Sequence, residues 1–428
     1  MPMPFSDVPA FRRDPLKLIL ERSAASEPGF VPLHLGRRPI WLVTEPDLAR
    51  RILKWPSTDL DKGRLVATLK PLVGESLLTN TGERHQRSKD AIHRHVQRTA
   101  VTKHLDELIG IINQAVARMA TKGGCDTTLD LPPLALHLAC AAMFGAELIS
   151  NEDRLAIVKA VRIVEAELAD DMFRVWPRLP WTADARRQRL QHARDIVHSI
   201  VGRARASEHK SPLLAALEAA GLDDEEINAE ILGLFIAGHH TTGSTIAWIL
   251  YHMAIDPSIA DTIALEADLV MSRLERNEIS ALKQAPLSLA LVNEVLRLYP
   301  AGWWTSREFL RTTVVDGKKF KAGDMVMVSP YQLHRDRRYW QDPDALHIDR
   351  DFEHPAYMPF GVGPRVCVGM NLAKIELQLV TLQLASAFRF RLAGSPEIRP
   401  HASVTLLAPA MTIEAGTRLD TVFRRRSA

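Results

Sequence analysis

The stretch "GLDDEEINAEILGLFIAGHHTTGSTIAWILYHMAIDP", residues 221–257, sets the architecture to expect. Asp223 and the three acids after it form a helix start, where carboxylates face the positive end of the helix dipole. Pro257 is the stop. More than thirty residues lie between them, about 50 Å of helix at ~1.5 Å per residue. A helix that long and apolar on most sides should cross the middle of the molecule. Two histidines and several hydroxyls argue against a membrane span.

Most of the chain outward from this helix also carries helical spacing of apolar residues. "DPLKLILERSAAS" starts on Asp14 as a cap, and further helical patterns run through 45–54, 83–98, 101–121, 131–144, 151–173 and 183–208. Two strand-like pieces, "FVPLHL" and "PIWLV", are separated by "GRR" and predict a hairpin. After Pro300, "TTVVDGKKFKAGDMVMVSP" reads as short strands joined by turns at Asp316-Gly317 and Ala322-Gly323. Residues 334–366 are turn-rich, and 369–387 return to helix. There is no internal repeat and no Pro/Ser/Gly-rich linker, so a single domain over 1–428 is expected, mainly α with small peripheral β-sheets.

At 428 residues, with 46% hydrophobic and 25% charged, the composition is that of a soluble globular protein able to enclose a sizeable cofactor. A formal charge of +3, without a basic stripe interleaved with aromatics, gives no basis for nucleic-acid binding. The N-terminus has no signal-peptide core, so neither secretion nor a membrane anchor is expected. Cys125, Cys140 and Cys367 are too few and too scattered for a disulfide framework, which favours a reducing cytoplasm.

Cys367 lies in "FGVGPRVCVG", residues 360–369. Gly361 and Gly363 let the backbone turn tightly and approach something flat. Just before a helix N-terminus, free N–H groups and the dipole stabilise a thiolate. Read alone, the cysteine is a buried filler, a nucleophile or a metal ligand.

The pattern Phe360-Gly361-x-Gly363-x-Arg365-x-Cys367-x-Gly369 resembles, without a mismatch, the heme-binding loop of the cytochrome P-450 family. The resemblance implies that fold, with heme b (iron protoporphyrin IX) buried beside the long central helix. Cys367 would be the axial thiolate ligand of the iron, whose electron donation favours O–O cleavage. Arg365 would pair with a heme propionate, and Phe360 would pack beside the thiolate.

Three other segments follow in the family's order. "NEVLRLYP" holds Glu294-x-x-Arg297, and "HRDRRYWQDPDALHIDRDF" resembles the family's meander, with Arg350 completing a buried triad. Arg307 in "WWTSREF" and His334 in "YQLHRD" fall where the family places propionate contacts. "AGHHTT" resembles the oxygen-activation motif: Ala237 and Gly238 would line it, Gly238 leaving room for dioxygen. Thr241 would help protonate the distal oxygen, and His240 stands where many members have an acid. A histidine can also relay protons. The double histidine resembles sterol demethylases of the family, but residues 60–78 do not match their substrate loop.

"TGERHQRSKDAIHRHV" resembles the family's third helix, in which His85 fits and Lys89 replaces an arginine that contacts a propionate. Arg84, Arg87, Arg94 and Arg98 beside it would attract an acidic ferredoxin or flavodoxin, served by an NAD(P)H reductase. Leu234, Phe235 and Ala237 are expected to form an apolar pocket wall, with one of Trp303 and Trp304 facing the substrate.

The expected activity is a monomeric, cytoplasmic heme-thiolate monooxygenase acting on an apolar small molecule such as a terpenoid, steroid or fatty acid. A peroxide-driven peroxygenase would not need Thr241, and a non-catalytic heme-binding protein would need no dioxygen motif. Zinc held by His239 and His240 is a weaker reading, because neighbours on a helix diverge by about 100°.

Overall fold

The computed structural model describes residues 3–67, 69–97, 101–145, 149–172, 180–207 and 211–418. Its main helices are α1 (Pro15–Ala24), α2 (Pro46–Lys54), α3 (Gly82–His93), α4 (Leu105–Lys122), α5 (Leu131–Phe144) and α6 (Asn151–Met172). They continue with α7 (Pro180–Ala206), α8 (Pro212–Ala219), α9 (Asp224–Ile255), α10 (Pro257–Leu274), α11 (Pro286–Leu298) and α12 (Met370–Ala387). The helical patterns expected from sequence fall on α2 to α7, although α3 stops at His93. Positions 98, 173 and 208, and with them Arg98, lie outside the described residues.

α9 is the long helix, and local chemistry sets both its ends. The Asp223 carboxylate accepts from the Glu226 amide at 2.8 Å, and the Glu226 carboxylate accepts from the Asp223 amide at 3.1 Å. This reciprocal cap satisfies two of the donors that every helix start leaves unpaired. In between, α9 packs on α5, α7, α11 and α12, so its apolar surround is core. Gly243 permits the closest of these approaches: a Cβ there would stand 2.9 Å from Pro132 Cα at the start of α5. Among the described residues no helix is long and apolar enough to cross a membrane.

The strands are small and peripheral. β1 (Phe30–Leu33) and β2 (Ile40–Val43) form the expected antiparallel hairpin. They belong to a five-stranded sheet of order β1-β2-β8-β5-β3, with β3 at Leu60–Asp61, β5 at Thr305–Phe309 and β8 at Met325–Val328. β4 (Gly124–Asp126), β10 (Thr412–Thr417) and β9 (Phe388–Ala393) make a second sheet. β6 (Thr313–Val315) and β7 (Lys318–Phe320) pair across Asp316 and Gly317. Both turn residues have positive φ, +47° and +74°, the geometry that a two-residue hairpin with right-handed strand twist requires.

Candidate active site

The cysteine loop is shaped by two glycines at φ +69° (Gly361) and +79° (Gly363). A Cβ on Gly363 would stand 2.6 Å from the Leu53 carbonyl oxygen, so only glycine lets the loop lie against the end of α2. One 3₁₀ turn, Gly363–Arg365, then presents Cys367, whose amide donates to the Phe360 carbonyl at 3.0 Å. Of the three cysteines only Cys367 is exposed, although protein lies close around it. Burial pushes its thiol up, and a hydrogen bond from the Gly369 amide offsets part of that. Cys125 and Cys140 are buried, with thiols pushed up to about 12, mainly by desolvation.

Basic side chains gather beside this loop. Arg365 donates to the Asn80 carbonyl at 2.8 Å and to the Asp61 carboxylate at 3.2 Å. Lys89 reaches the loop itself, donating to the Pro364 carbonyl at 2.7 Å. Arg307 is buried on β5, where its guanidinium donates to the Ser306 carbonyl at 2.7 Å. Lys62 joins them, donating to the carbonyls of Leu77 (2.9 Å) and Leu78 (2.6 Å). Burial, then the charges of Arg365 and Arg307, pulls Lys62 down to about 7. Burial and then the charge of Arg365 pull Arg307 down to about 10. Burial, then Arg365, Lys62 and Lys89, pushes buried His85 down to about 3, so its ring is neutral.

Asp61 is the acid paired with Arg365 at this cluster. The charges of Arg365, Arg307 and Lys62 disfavour one another, and two carboxylates entering beside them would relieve it. The heme implied by the resemblance brings two carboxylates, and an exposed cysteine stands on the same loop. The residues present fit that group. Lys62 was not foreseen from sequence, because nothing in "LDKGR" distinguishes it from a surface lysine.

His334 is not available to such a carboxylate. It is fully buried; Nδ1 lies 3.0 Å from the Arg297 carbonyl, and Nε2 accepts from the Met358 amide at 2.9 Å. Both ring nitrogens are committed, and burial pushes the ring down to about 3. The histidine ties α11 to the loop, and the expected propionate contact is corrected on that ground.

Glu294, Arg297 and Arg350 do meet. Arg297 grips both Glu294 oxygens, at 2.7 and 2.8 Å, and Arg350 Nε donates to Glu294 Oε1 at 3.0 Å. Arg297 also donates to the carbonyls of His334, Pro343 and Ala345, and Arg350 to those of Gln341 and Asp342. The triad thereby ties down the turn-rich segment that leads into the cysteine loop.

Along α9, the residues at i, i+3, i+4 and i+7 from Leu234 share one face. Ala237 is exposed and Leu234 and Thr241 are half-buried, whereas Phe235, His239 and Thr242 are buried on the opposite side. Phe235 is therefore core, 5.7 Å from the Phe144 ring, and not pocket wall. A Cβ on Gly238 would meet Ala139 Cβ at 3.1 Å, so this half-buried glycine also lets α5 come close. The Thr241 hydroxyl donates to the Ala237 carbonyl at 2.5 Å. Trp303 is fully buried, its indole N–H donating to the Ser403 carbonyl at 2.9 Å, while Trp304 is half-buried.

The acid absent before Thr241 arrives from another helix. Glu165 of α6 pairs through Oε2 with His240 Nε2, and its Oε1 lies 3.9 Å from His239 Nδ1. No local pattern signals this, because the partners are brought together only by packing of α6 on α9.

The basic face on α3 is partly satisfied internally. Arg84 pairs with Glu75, and Arg87 with Glu226 at 2.9 Å. Arg94 is exposed, its Nε donating to the Asp90 carbonyl at 3.3 Å.

The sequence profile of the cytochrome P-450 family matches residues 12–414. Similar proteins include two from Streptomyces melanosporofaciens. Cyclooctatin synthase is 24% identical over 416 residues, spanning 92% of this chain and 90% of its own. Cyclooctat-9-en-7-ol 5-monooxygenase is 25% identical over 408 residues, spanning 89% and 86%. The Arabidopsis thaliana protein LUTEIN DEFICIENT 5, chloroplastic, is 24% identical over 421 residues, spanning 88% and 70%.

Proposed function

The chain belongs to the cytochrome P-450 family, a family of heme monooxygenases, and on that premise we propose that it oxygenates an apolar, terpenoid-sized small molecule. The observation that carries this reading is the exposed Cys367 on a glycine-turned loop flanked by Arg365, Lys89, Arg307 and Lys62. Heme b, when bound, supplies the redox chemistry of dioxygen, and a thiolate ligand favours O–O cleavage. The chain's own residues do the rest. Cys367 holds the iron, and Arg365, Arg307, Lys89 and Lys62 hold the propionates. His85, neutral and buried, lines that side, with Phe360, Gly361 and Gly369 shaping the loop.

On the opposite side, Leu234 and Ala237 turn an apolar face towards the substrate, and Thr241 offers a hydroxyl that can pass a proton. Trp304 is the tryptophan we assign to the pocket, because Trp303 is taken up by the core. The two Streptomyces relatives suggest an apolar carbocyclic alcohol or hydrocarbon as substrate; at 24–25% identity they suggest the class and not the compound.

Electrons come from a ferredoxin or flavodoxin with its NAD(P)H reductase, in the cytoplasm. Arg94 is the preferred probe of that docking. Reversing Arg87 would set a new carboxylate against Glu226 and disturb the cap of α9. Arg94→Glu should slow reduction and flatten its salt dependence.

Cyclooctat-9-en-7-ol, a steroid and a fatty acid, titrated into the purified holoprotein, test the substrate class. The expected result is a spectral shift for the first and its oxidation with NADPH, ferredoxin and reductase. Turnover with peroxide but none with dioxygen and reductase would replace the reading with a peroxygenase. Cys367→His tests the ligand: the reduced carbon-monoxide spectrum should move to the globin type and oxygenation should cease. An unchanged spectrum would move the ligand to another residue.

A further inference from the structure

Neighbours on a helix diverge by about 100° at Cβ, which argues against a metal between His239 and His240 of α9. The two rings nevertheless turn towards each other, their centroids 4.3 Å apart. A third donor comes from α6, the carboxylate of Glu165. Its Oε2 meets His240 Nε2 directly, and its Oε1 stands 3.9 Å from His239 Nδ1. One ligand atom from each residue lies within 4.8 Å of the other two, and among the described residues this is the one such group.

His239 is the observation that points to a ligand. It is fully buried, and neither ring nitrogen has a hydrogen-bond partner. A buried polar group is costly to leave unpaired, and coordination at Nδ1 would satisfy it. Desolvation pushes the ring down and keeps it neutral, so a lone pair is available. Burial alone would raise the Glu165 carboxyl, yet its contacts with the two rings prevail and keep it a carboxylate.

We propose that Glu165, His239 and His240 form a zinc site that staples α6 to α9. Two imidazole nitrogens and one carboxylate oxygen suit zinc, with bonds of about 2.0–2.2 Å and a fourth position for water. Calcium and magnesium prefer shells of six or more oxygens, whereas two of these three donors are nitrogen. The side chains of Glu165 and His240 are 21% and 24% exposed, which gives the ion an entry path and the water its place.

Tetrahedral ligand atoms stand about 3.3 Å apart, so His239 closes on Glu165 by about half an ångström and His240 parts from it. The ion displaces the proton between Glu165 and His240 Nε2. A neutral ring keeps that proton at Nδ1, and a charged ring gives it to solvent. Arg162, one turn before Glu165 on α6, works against the ion, since its positive charge reaches His239.

The staple does not depend on the substrate or the oxygen chemistry proposed above. Holoprotein is freed of loose metal with a chelator and dialysed against micromolar zinc, as wild type, Glu165→Gln, His239→Leu and Arg162→Gln. Wild type should retain one zinc per chain besides the heme iron. Its zinc K-edge absorption, which iron does not disturb, should show two imidazoles and one carboxylate oxygen. Glu165→Gln and His239→Leu each lose a direct ligand. Both should bind zinc more weakly by more than the 10- to 100-fold that loss of an outer-shell partner costs. Arg162 is exposed, so its variant folds whatever the buried ones do, and it should bind zinc more tightly. The thermal midpoint should rise with zinc in wild type and stay put in His239→Leu.

Zinc held equally by wild type and His239→Leu would place the ion elsewhere and overturn the staple. So would a wild type that retains no zinc, or a zinc shell with fewer than two imidazoles. Each of these outcomes leaves the monooxygenase reading intact.

Discussion

The triad under the meander and the middle of α9 treat buried polar groups in opposite ways. Glu294 and Arg297 are 0% exposed, yet Arg297 donates to five acceptors and Glu294 accepts from Arg297, Arg350 and the His347 amide. Every part of that network has one arrangement, so it fixes the loop that carries Cys367. In α9, His239 is equally buried with both ring nitrogens unpaired, and its neighbour His240 meets an acid from another helix beside solvent. A saturated network makes a scaffold. An unsaturated one leaves protons and side chains somewhere to go.

The largest effect should come from breaking the scaffold. Arg297→Leu leaves Glu294 charged and buried, and should cost about 3–5 kcal/mol, read as a fall in the urea midpoint and in heme retained. A midpoint within error of wild type would mean that the meander is held by something else.

A second test compares the scaffold with the basic cluster beside it. Lys62 stands at about 7 in the folded chain against 10.5 when free, because burial and the charges of Arg365 and Arg307 disfavour its ammonium. A folded-state value that low means the apoprotein loses stability as pH falls from 10.5 towards 7. Propionates beside Lys62 would reverse the shift, so on heme loading between pH about 7 and 10.5 wild type should take up close to one proton more than Lys62→Met, set against the proton that the Cys367 thiol gives up in both chains. Calorimetric titration of apoprotein with heme, in buffers of different ionisation heat, reads that difference. An equal proton count in wild type and Lys62→Met would place the proton elsewhere.

The smallest effect should come from His239→Leu. The ring forms no hydrogen bond, so an apolar side chain of similar volume should cost below about 1.5 kcal/mol in the same urea titration. A loss as large as that of Arg297→Leu would show that His239 belongs to a fixed network after all.

Local chemistry was legible wherever it decided the outcome. Asp223 and Pro257 bound α9 because caps and prolines act on the adjacent turn. Asp316-Gly317 made its hairpin because only such residues accept positive φ cheaply. The glycines around Cys367 turned the loop for the same reason. Side-chain direction on an apolar helix was not legible, since α9 is greasy on most sides and its periodicity names no single core face. Packing on α5 alone put Phe235 in the core, turned Gly238 to Ala139 and left Ala237 open.

The sequence by itself therefore determined the two hairpins at 30–43 and 313–320, where α9 begins and ends, and which cysteine stands at the loop. Tertiary structure alone decided that Trp303 is core and Trp304 half-open, that His334 braces α11, and that Lys62 and Glu165 join the site. The reason is physical. Caps, turns and stops are settled within a few residues, whereas a carboxylate on α6 and an imidazole on α9 become partners only when the helices that carry them pack.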